Sequence, residues 1–379
     1  MKVATITLAF CVAALLTLGL VMLYSTGLYS KPDVASPAAR FFVSQLTWCG
    51  LGLVVCIAAA CVDYRKLKLL TWPLFGVVIV LLVAVLKTKA INGAHRWFSF
   101  HNVSFQPSEL AKLALILALA WYVDRYSRQM HKFKRGILWP GLIIGSLLGL
   151  IFIEPDRGTT ILLAAVSGSM LLIAGVRWRY MISAGVLGMI GLVFSIIHDP
   201  MRLNRIFSWL DLEETRTGVG MQGYQAMLAL GSGGWFGLGL GNGRQKLGFV
   251  SQNQTDFIFS VIGEELGLVA TLAVLVGFIV IVLCGIFIAL RAKDTFGTML
   301  AAGITFLIGL QAFINIGVVT SALPNKGLAL PFISYGGSSL LALLTCVGIL
   351  FSIARQAREV ELFKAGNPFA SDELAPQAS

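Results

Sequence analysis

The sequence predicts an all-α, polytopic membrane protein with about ten transmembrane helices in a single bundle and a long outer loop between spans seven and eight. The first observation is composition: of 379 residues, 57% are hydrophobic and only 12% charged, too apolar a balance for a soluble domain of this length. The second is run length. Leu, Val, Ile, Ala and Gly recur in stretches of ~18 to 25 residues, which fits helices crossing ~30 Å of hydrocarbon. The third is periodicity, since no segment alternates in the manner of a barrel strand.

The first run, Val3 to Tyr24, is longer than a signal-peptide core and has no small-residue cleavage site close behind it, so it reads as a span. Spans then fall at about 3 to 26, 42 to 62, 69 to 87, 109 to 123, 137 to 153, 159 to 176, 180 to 197, 257 to 290, 296 to 320 and 335 to 354. With the amino terminus cytoplasmic, the loops Asp63 to Lys68, Asp124 to Arg135, Arg177 to Arg179 and Arg291 to Asp294 share a side with Arg355, Arg358 and Lys364. These are short and basic, as the positive-inside rule asks. The outer side carries Lys87 to Ser108, Glu154 to Gly158, the long stretch at about 198–255, and Ser321 to Ser334. Residues 1–364 form one membrane domain and residues 365–379 a polar, disordered cytoplasmic tail. The formal charge of +11 is dispersed over short loops, which argues against a nucleic-acid partner. The six cysteines lie within or beside apolar runs without metal-ligand spacing, so they read as small buried hydrophobes.

Chemistry concentrates in the outer connections. Asp256 follows an uncharged polar run and precedes Phe257, Ile258 and Phe259. It reads either as a helix N-cap or as a general base whose basicity is raised by apolar neighbours. One helix from Asp256 to Leu290 would run to ~52 Å, beyond the hydrocarbon, so part must lie outside, with Gly263 and Gly267 as candidate break points. Glu264 lies ~80° round from Asp256 and Glu265 on the opposite side, and both are assigned to structure. The run Gly231 to Gly243 fits no nucleotide-loop pattern; with Arg244 and Lys246 beside it, it serves either turns or a phosphate.

In the first outer loop, Asn92 to Trp97 leads to Gln106 to Lys112, where Pro107, Ser108 and Glu109 start a helix. Lys112 falls one turn inside it and either snorkels or meets an anion. Arg96 and Lys112 together suit a diphosphate, and Trp97 is either an interface anchor or a platform for a sugar or lipid. Glu154 and Asp156 in Glu154 to Gly158 are explained by a local ion pair with Arg157 and are assigned to structure. Pro324 to Ser339 mixes prolines, glycines and hydroxyls beside a membrane face, which reads as a re-entrant segment lining a cavity.

These stretches, with Glu154 to Thr159, Gly223-Tyr-Gln225, Gly239 to Lys246, Thr255 to Gly267, Asn315 and Pro324 to Ser339, closely resemble the SEDS family of shape, elongation, division and sporulation proteins over nearly the whole chain. Gly-Glu-Glu-Leu-Gly ending at Gly267 and Pro-x-Lys-Gly from Pro324 look more like the cell-division (FtsW-type) branch than the elongation (RodA-type) branch. The resemblance implies a ten-span peptidoglycan glycosyltransferase in the bacterial cytoplasmic (inner) membrane, both termini cytoplasmic. The implied substrates at the outer face are lipid II and an undecaprenyl-diphosphate-linked glycan. Asp256 matches the family's catalytic aspartate and Trp97 a required tryptophan. Arg96, Lys112, Lys246, Arg205 and Lys326 are candidates for holding diphosphates, in that order, and Thr255, Ser334, Tyr335 and Ser338 complete the expected substrate-binding set.

A class B penicillin-binding protein, other division proteins and membrane lipids are the implied partners. No protein metal cage is visible, which leaves a divalent cation (Mg or Mn) to bridge substrate phosphates. The chain departs from the family where Leu-Pro-Glu-x-His usually stands, carrying Val250, Ser251, Gln252, Asn253 and Gln254 instead. Two other functions stay open: a flippase for the same precursor, suggested by Lys112 and the broken-helix signals though no inverted repeat is seen, and a non-catalytic division scaffold.

Overall fold

Backbone in hydrocarbon must bond to itself, and the long apolar runs therefore become helices. The computed structural model describes residues 1–27, 37–88, 95–100, 103–211, 213, 215–216, 218, 220–243 and 255–366. In chain order the helices are α1 (Lys2–Gly27), α2 (Pro37–Cys61), α3 (Leu67–Val85), α4 (Pro107–Tyr126), α5 (Trp139–Ile153), α6 (Arg157–Ile173), α7 (Trp178–Ile197), α8 (Pro200–Leu210), α9 (Met221–Ser232), α10 (Ile258–Leu290), α11 (Thr295–Val319) and α12 (Gly337–Gly366). A small antiparallel hairpin, β1 (Phe98–Phe100) and β2 (Val103–Phe105), pairs Phe98 with Phe105.

Among the described residues eight helices are long and apolar enough to cross a membrane: α1, α2, α3, α5, α7, α10, α11 and α12. The fourth and sixth expected spans correspond to α4 and α6. α6 is shorter, at 17 residues, and α4 is the central post, buried along almost its whole length against α3, α11 and α6. Around it α2 packs on α12, and α10 packs on both α1 and α11.

The stretch expected as an outer loop at about 198–255 contains two helices. α8 carries Leu203, Ile206, Phe207 and Leu210 at helical spacing, a period legible in the sequence, and Trp209 Nε1 donates to the Ser321 carbonyl at 2.8 Å. α9 buries Ala226 and Ala229 and packs against α10. The last helix also runs on past residue 354 to Gly366, so residues 365 and 366, expected in the tail, are helical, while 367–379 lie outside the described residues.

α10 is broken at Gly267, with φ 80° and ψ −174°, whereas Gly263 stays helical. The backbone freed by the break is taken up by the glycine-rich segment: Leu268 N donates to the Gly234 carbonyl (2.9 Å), Val269 N to Trp235 (3.2 Å), Leu238 N to the carbonyl of Glu264 (2.9 Å) and Gly239 N to that of Glu265 (3.0 Å). Those glycines are there because backbone lies against backbone: a Cβ on Gly267 would collide with Gly237 N, Trp235 O and Phe236 C. Gly267→Ala is expected to destabilise the protein by at least ~1–3 kcal/mol, from the glycine-only backbone region alone. A thermal-unfolding midpoint unchanged in detergent would refute the account of the break.

Candidate active site

Asp256 is half-buried and sits one residue before the buried Phe257, which stands at the N-cap position of α10 without a side-chain cap. Asn315, on α11, clamps this point: its Nδ2 donates to the Asp256 carbonyl at 2.8 Å and to the Leu328 carbonyl at 2.6 Å. The carboxylate faces the backbone of the segment after α11, where a Cβ on Gly327 would stand 2.8 Å from Asp256 Oδ2. Burial pushes the Asp256 carboxyl up to about 6; Asp156 nearby adds to the rise and Arg96 opposes it. The side chain is therefore ionised at neutral pH yet far more basic than a solvated aspartate.

The segment facing it is held by buried amides and hydroxyls. Gln311 Nε2 donates to the Ala329 carbonyl (2.8 Å), Leu330 N donates to Ser334 Oγ (2.8 Å), and Ser334 Oγ donates to the Thr255 carbonyl (2.5 Å). Tyr335 OH lies 3.3 Å from Ser44 Oγ and its ring stacks edge-on with Phe41. Ser338 is buried in the first turn of α12. Ser334, Tyr335 and Ser338, expected to contact substrate, thus hold the segment to Thr255, α2 and α12. The Ser334 and Tyr335 hydroxyls lie among protein partners because a buried polar group left unbonded is costly.

The ion pair expected inside Glu154 to Gly158 does not form. Arg157 instead stacks on Phe152, 3.0 Å from the ring centroid, and its Nε and Nη1 have no hydrogen-bond partner. Pro155 adopts φ 34°. What closes the turn is Arg96, whose Nε donates to the Glu154 carbonyl at 3.0 Å and whose Nη2 donates to that of Pro155. Asp156 caps α6 by accepting from Thr159 N at 3.2 Å and from Thr159 Oγ1 at 3.0 Å, and Gln106 Nε2 reaches its Oδ2 at 3.2 Å. Glu154 is 0% exposed with neither carboxyl oxygen bonded, and burial lifts its pKa to about 8, with Asp156 adding and Arg96 opposing.

Lys112, expected to meet a diphosphate, is 2% exposed and already neutralised. Its Nζ donates to both Glu109 oxygens at 2.8 Å and to Gln311 Oε1 at 3.2 Å. It braces α4 against α11 because a cation one turn inside an apolar helix needs a counter-ion. Lys326 differs: it is half-buried next to Gly327, burial lowers its pKa, and it forms no ion pair among the described residues. Arg205 is exposed on α8, and Trp97 is half-buried before β1. Lys246, Arg244 and residues 251–254 lie outside the described residues. Glu264 and Glu265 are buried at the kink, where Ser25 Oγ donates to Glu265 Oε2 (2.5 Å), as does Gly241 N (3.1 Å). Among the described residues no group of three or more His, Cys, Asp or Glu side chains is placed to hold a metal.

A family model described as cell cycle protein, FtsW/RodA/SpoVE, matches residues 6–359. The chain belongs to this family. It is similar to a probable peptidoglycan glycosyltransferase FtsW of Trichlorobacter lovleyi, 39% identical over 92% of each chain. Stage V sporulation protein E of Bacillus subtilis is 37% identical over 91% of this chain and 95% of its own. A chain of a solved peptidoglycan synthase complex that coordinates polymerization and crosslinking superposes with a TM-score of 0.77 at 28% identity, over 92% of this chain and 97% of that one. The rod-shape-determining protein RodA of Thermus thermophilus gives 0.68 at 29%, over 92% and 96%.

In this FtsW/RodA/SpoVE-family chain, sequence reasoning passed over Gln311 and gave no site role to Gln106, Asn315 or Gly327, which it noted only within stretches resembling the family. Gln311 and Asn315, four apart within the apolar run of α11, carried a signal: an amide in a span needs a partner. Gly327 gave none, since its role depends on the chain approaching Asp256 from elsewhere.

Two outcomes test this geometry. Glu109→Ala strands a buried Lys112 and is expected to cost roughly 3–5 kcal/mol, much of it recovered when Lys112→Met is added; a strictly additive double mutant in thermal unfolding would mean the pair does not form. Glu154 has a folded pKa raised from 4.5 to about 8, so the stability from its neutral form is complete below pH 4.5 and lost as pH rises through 8. Glu154→Gln should flatten the fall of the melting midpoint across that window, and an unchanged pH profile would contradict it.

Proposed function

We propose that this chain is a peptidoglycan glycosyltransferase that polymerises lipid II into glycan strands at the outer face of the cytoplasmic membrane, in septal wall synthesis during cell division. The observation that carries the reading is Asp256: a carboxylate just ahead of α10, its backbone carbonyl held by Asn315 and its pKa lifted to about 6. It is supported by relatives named as probable peptidoglycan glycosyltransferases and by the likeness to a peptidoglycan synthase complex. The acceptor sugar hydroxyl attacks the donor's anomeric carbon, its proton passes to Asp256, and the lipid diphosphate departs. A base of this strength is ionised at pH 7 and still accepts a proton from a hydroxyl that is losing it.

Lys326, beside Gly327, is the cation we assign to the diphosphate, where negative charge grows as the bond breaks. Arg96 tunes Asp256 and the Glu154 turn while keeping its guanidinium on backbone carbonyls. A divalent cation such as Mg or Mn would be held by the diphosphate oxygens and would neutralise leaving-group charge; no step above depends on it. Both termini are taken as cytoplasmic, and the peptidoglycan synthase likeness supports a class B penicillin-binding protein as partner.

Reconstitution with lipid II and such a partner tests the assignment. Asp256→Asn should lower polymer yield by ~10²–10⁴-fold without loss of fold, and the wild-type rate should fall ~tenfold per pH unit below about pH 6. Normal polymer from the variant would overturn Asp256 as the base, and lipid II flipping without polymer would favour a transporter.

A further inference from the structure

A groove of about 610 Å³ opens between α1, α2 and α12, at the end of the bundle away from Asp256. Its orientation follows from contacts already described: the last turns of α1 reach the α10 break through Ser25 and Glu265, so Lys2 at the other end of the 26-residue α1 lies a full bundle length away. The groove runs along α1 from Lys2 to Leu16 and along α12 from Arg358 back to Leu344. Each path covers ~21 Å of helix axis, somewhat more than the ~15 Å half-thickness of a hydrocarbon core. Ala9 and Ala13 of α1 line it, and their small side chains leave the space open. Its volume falls within the ~300–1,000 Å³ of ordinary ligand sites.

The walls are apolar and the mouth is not. Lys2, Arg355 and Arg358 line the open end, all three exposed. Arg355 Nη2 donates to the Cys61 carbonyl at 2.9 Å, and among the described residues none of the three pairs with a carboxylate, not even with the neighbouring exposed Glu359. Asp63, the acid on the α2 side, already accepts from Arg65 N and Gln356 Nε2, both at 2.8 Å. We infer that this groove binds one anionic phospholipid of the adjacent leaflet, an acyl chain lying against Ala9 and Ala13 and the headgroup phosphate at Lys2, Arg355 and Arg358. Convergent cations at the membrane surface over an apolar slot one leaflet deep select for negative headgroups, which a neutral annular lipid does not need. The site is independent of the glycosyltransferase reading, because none of its residues touches the Asp256 end.

Native mass spectrometry of the full chain in detergent, titrated with phosphatidylglycerol and with phosphatidylcholine of the same chain length, tests it. One phosphatidylglycerol should be retained preferentially. Lys2→Gln with Arg355→Gln and Arg358→Gln should weaken it ~tenfold or more, and Ala9→Trp with Ala13→Trp should weaken it with every cation in place. Each variant is checked by its melting midpoint, so a misfolded charge variant leaves the tryptophan variant to decide. Equal retention of phosphatidylcholine, or retention unmoved by a folded variant, would reduce the site to annular lipid and overturn the inference. Competition by soluble glycerol phosphate at equal potency would overturn it too, by showing that the phosphate binds without the chain.

Discussion

A buried, apolar setting offers a backbone amide no water, and at Gly267 that constraint organises the Asp256 end of the molecule. A helix cannot break at this depth unless another segment supplies the bonds that the break removes. Residues 234–239 do so strand-like against the kink, and they approach because glycine lets two backbones meet without side chains between them. Burial of Glu264 and Glu265 belongs to the same knot, since Ser25 and Gly241 bond Glu265 from two other directions. The break is thus the joint that ties α1, the glycine-rich loop and α10 together, and Asp256 is presented at the upstream end of its short leading piece.

The proposed proton transfer from a sugar hydroxyl needs a carboxylate raised by burial and rigid surroundings, and Asp256 has both. The rigidity comes from amides rather than ions. Asn315 and Gln311 hold the segment 328–329, and Ser334 holds Thr255, while Arg96 and Asp156 are the charges that act on the Asp256 carboxyl. Lys112 and Glu109 cancel each other one layer down. Positive charge left for a phosphate is accordingly scarce among the described residues, which gives Lys326 more weight than its place at the end of the sequence-based ranking suggests.

Sequence order alone could not rank the cations, because a cation's availability depends on what stands opposite it. Lys112 looked stranded in an apolar helix, yet Glu109 was one turn away and visible; the pairing is an i, i+3 contact that the helix itself dictates. Arg157 looked paired with its neighbours Glu154 and Asp156, but a tight turn with Pro155 at φ 34° sends the side chains apart. The α8 period was legible and α9 much less so, which is why the connection at 198–255 read as loop.

The sequence by itself determined that the chain is a helical membrane bundle, which connecting stretches carry polar chemistry, and that Asp256 stands at the head of an overlong span. It did so because the bilayer permits few backbone solutions and shows them in apolar run length. Only the tertiary structure decided which glycine breaks α10, that Gly327 and Asn315 close on Asp256, and that Arg96 rather than Arg157 secures the Glu154 turn. Those choices rest on contacts between segments tens to hundreds of residues apart, where side chains meet partners that no local pattern records.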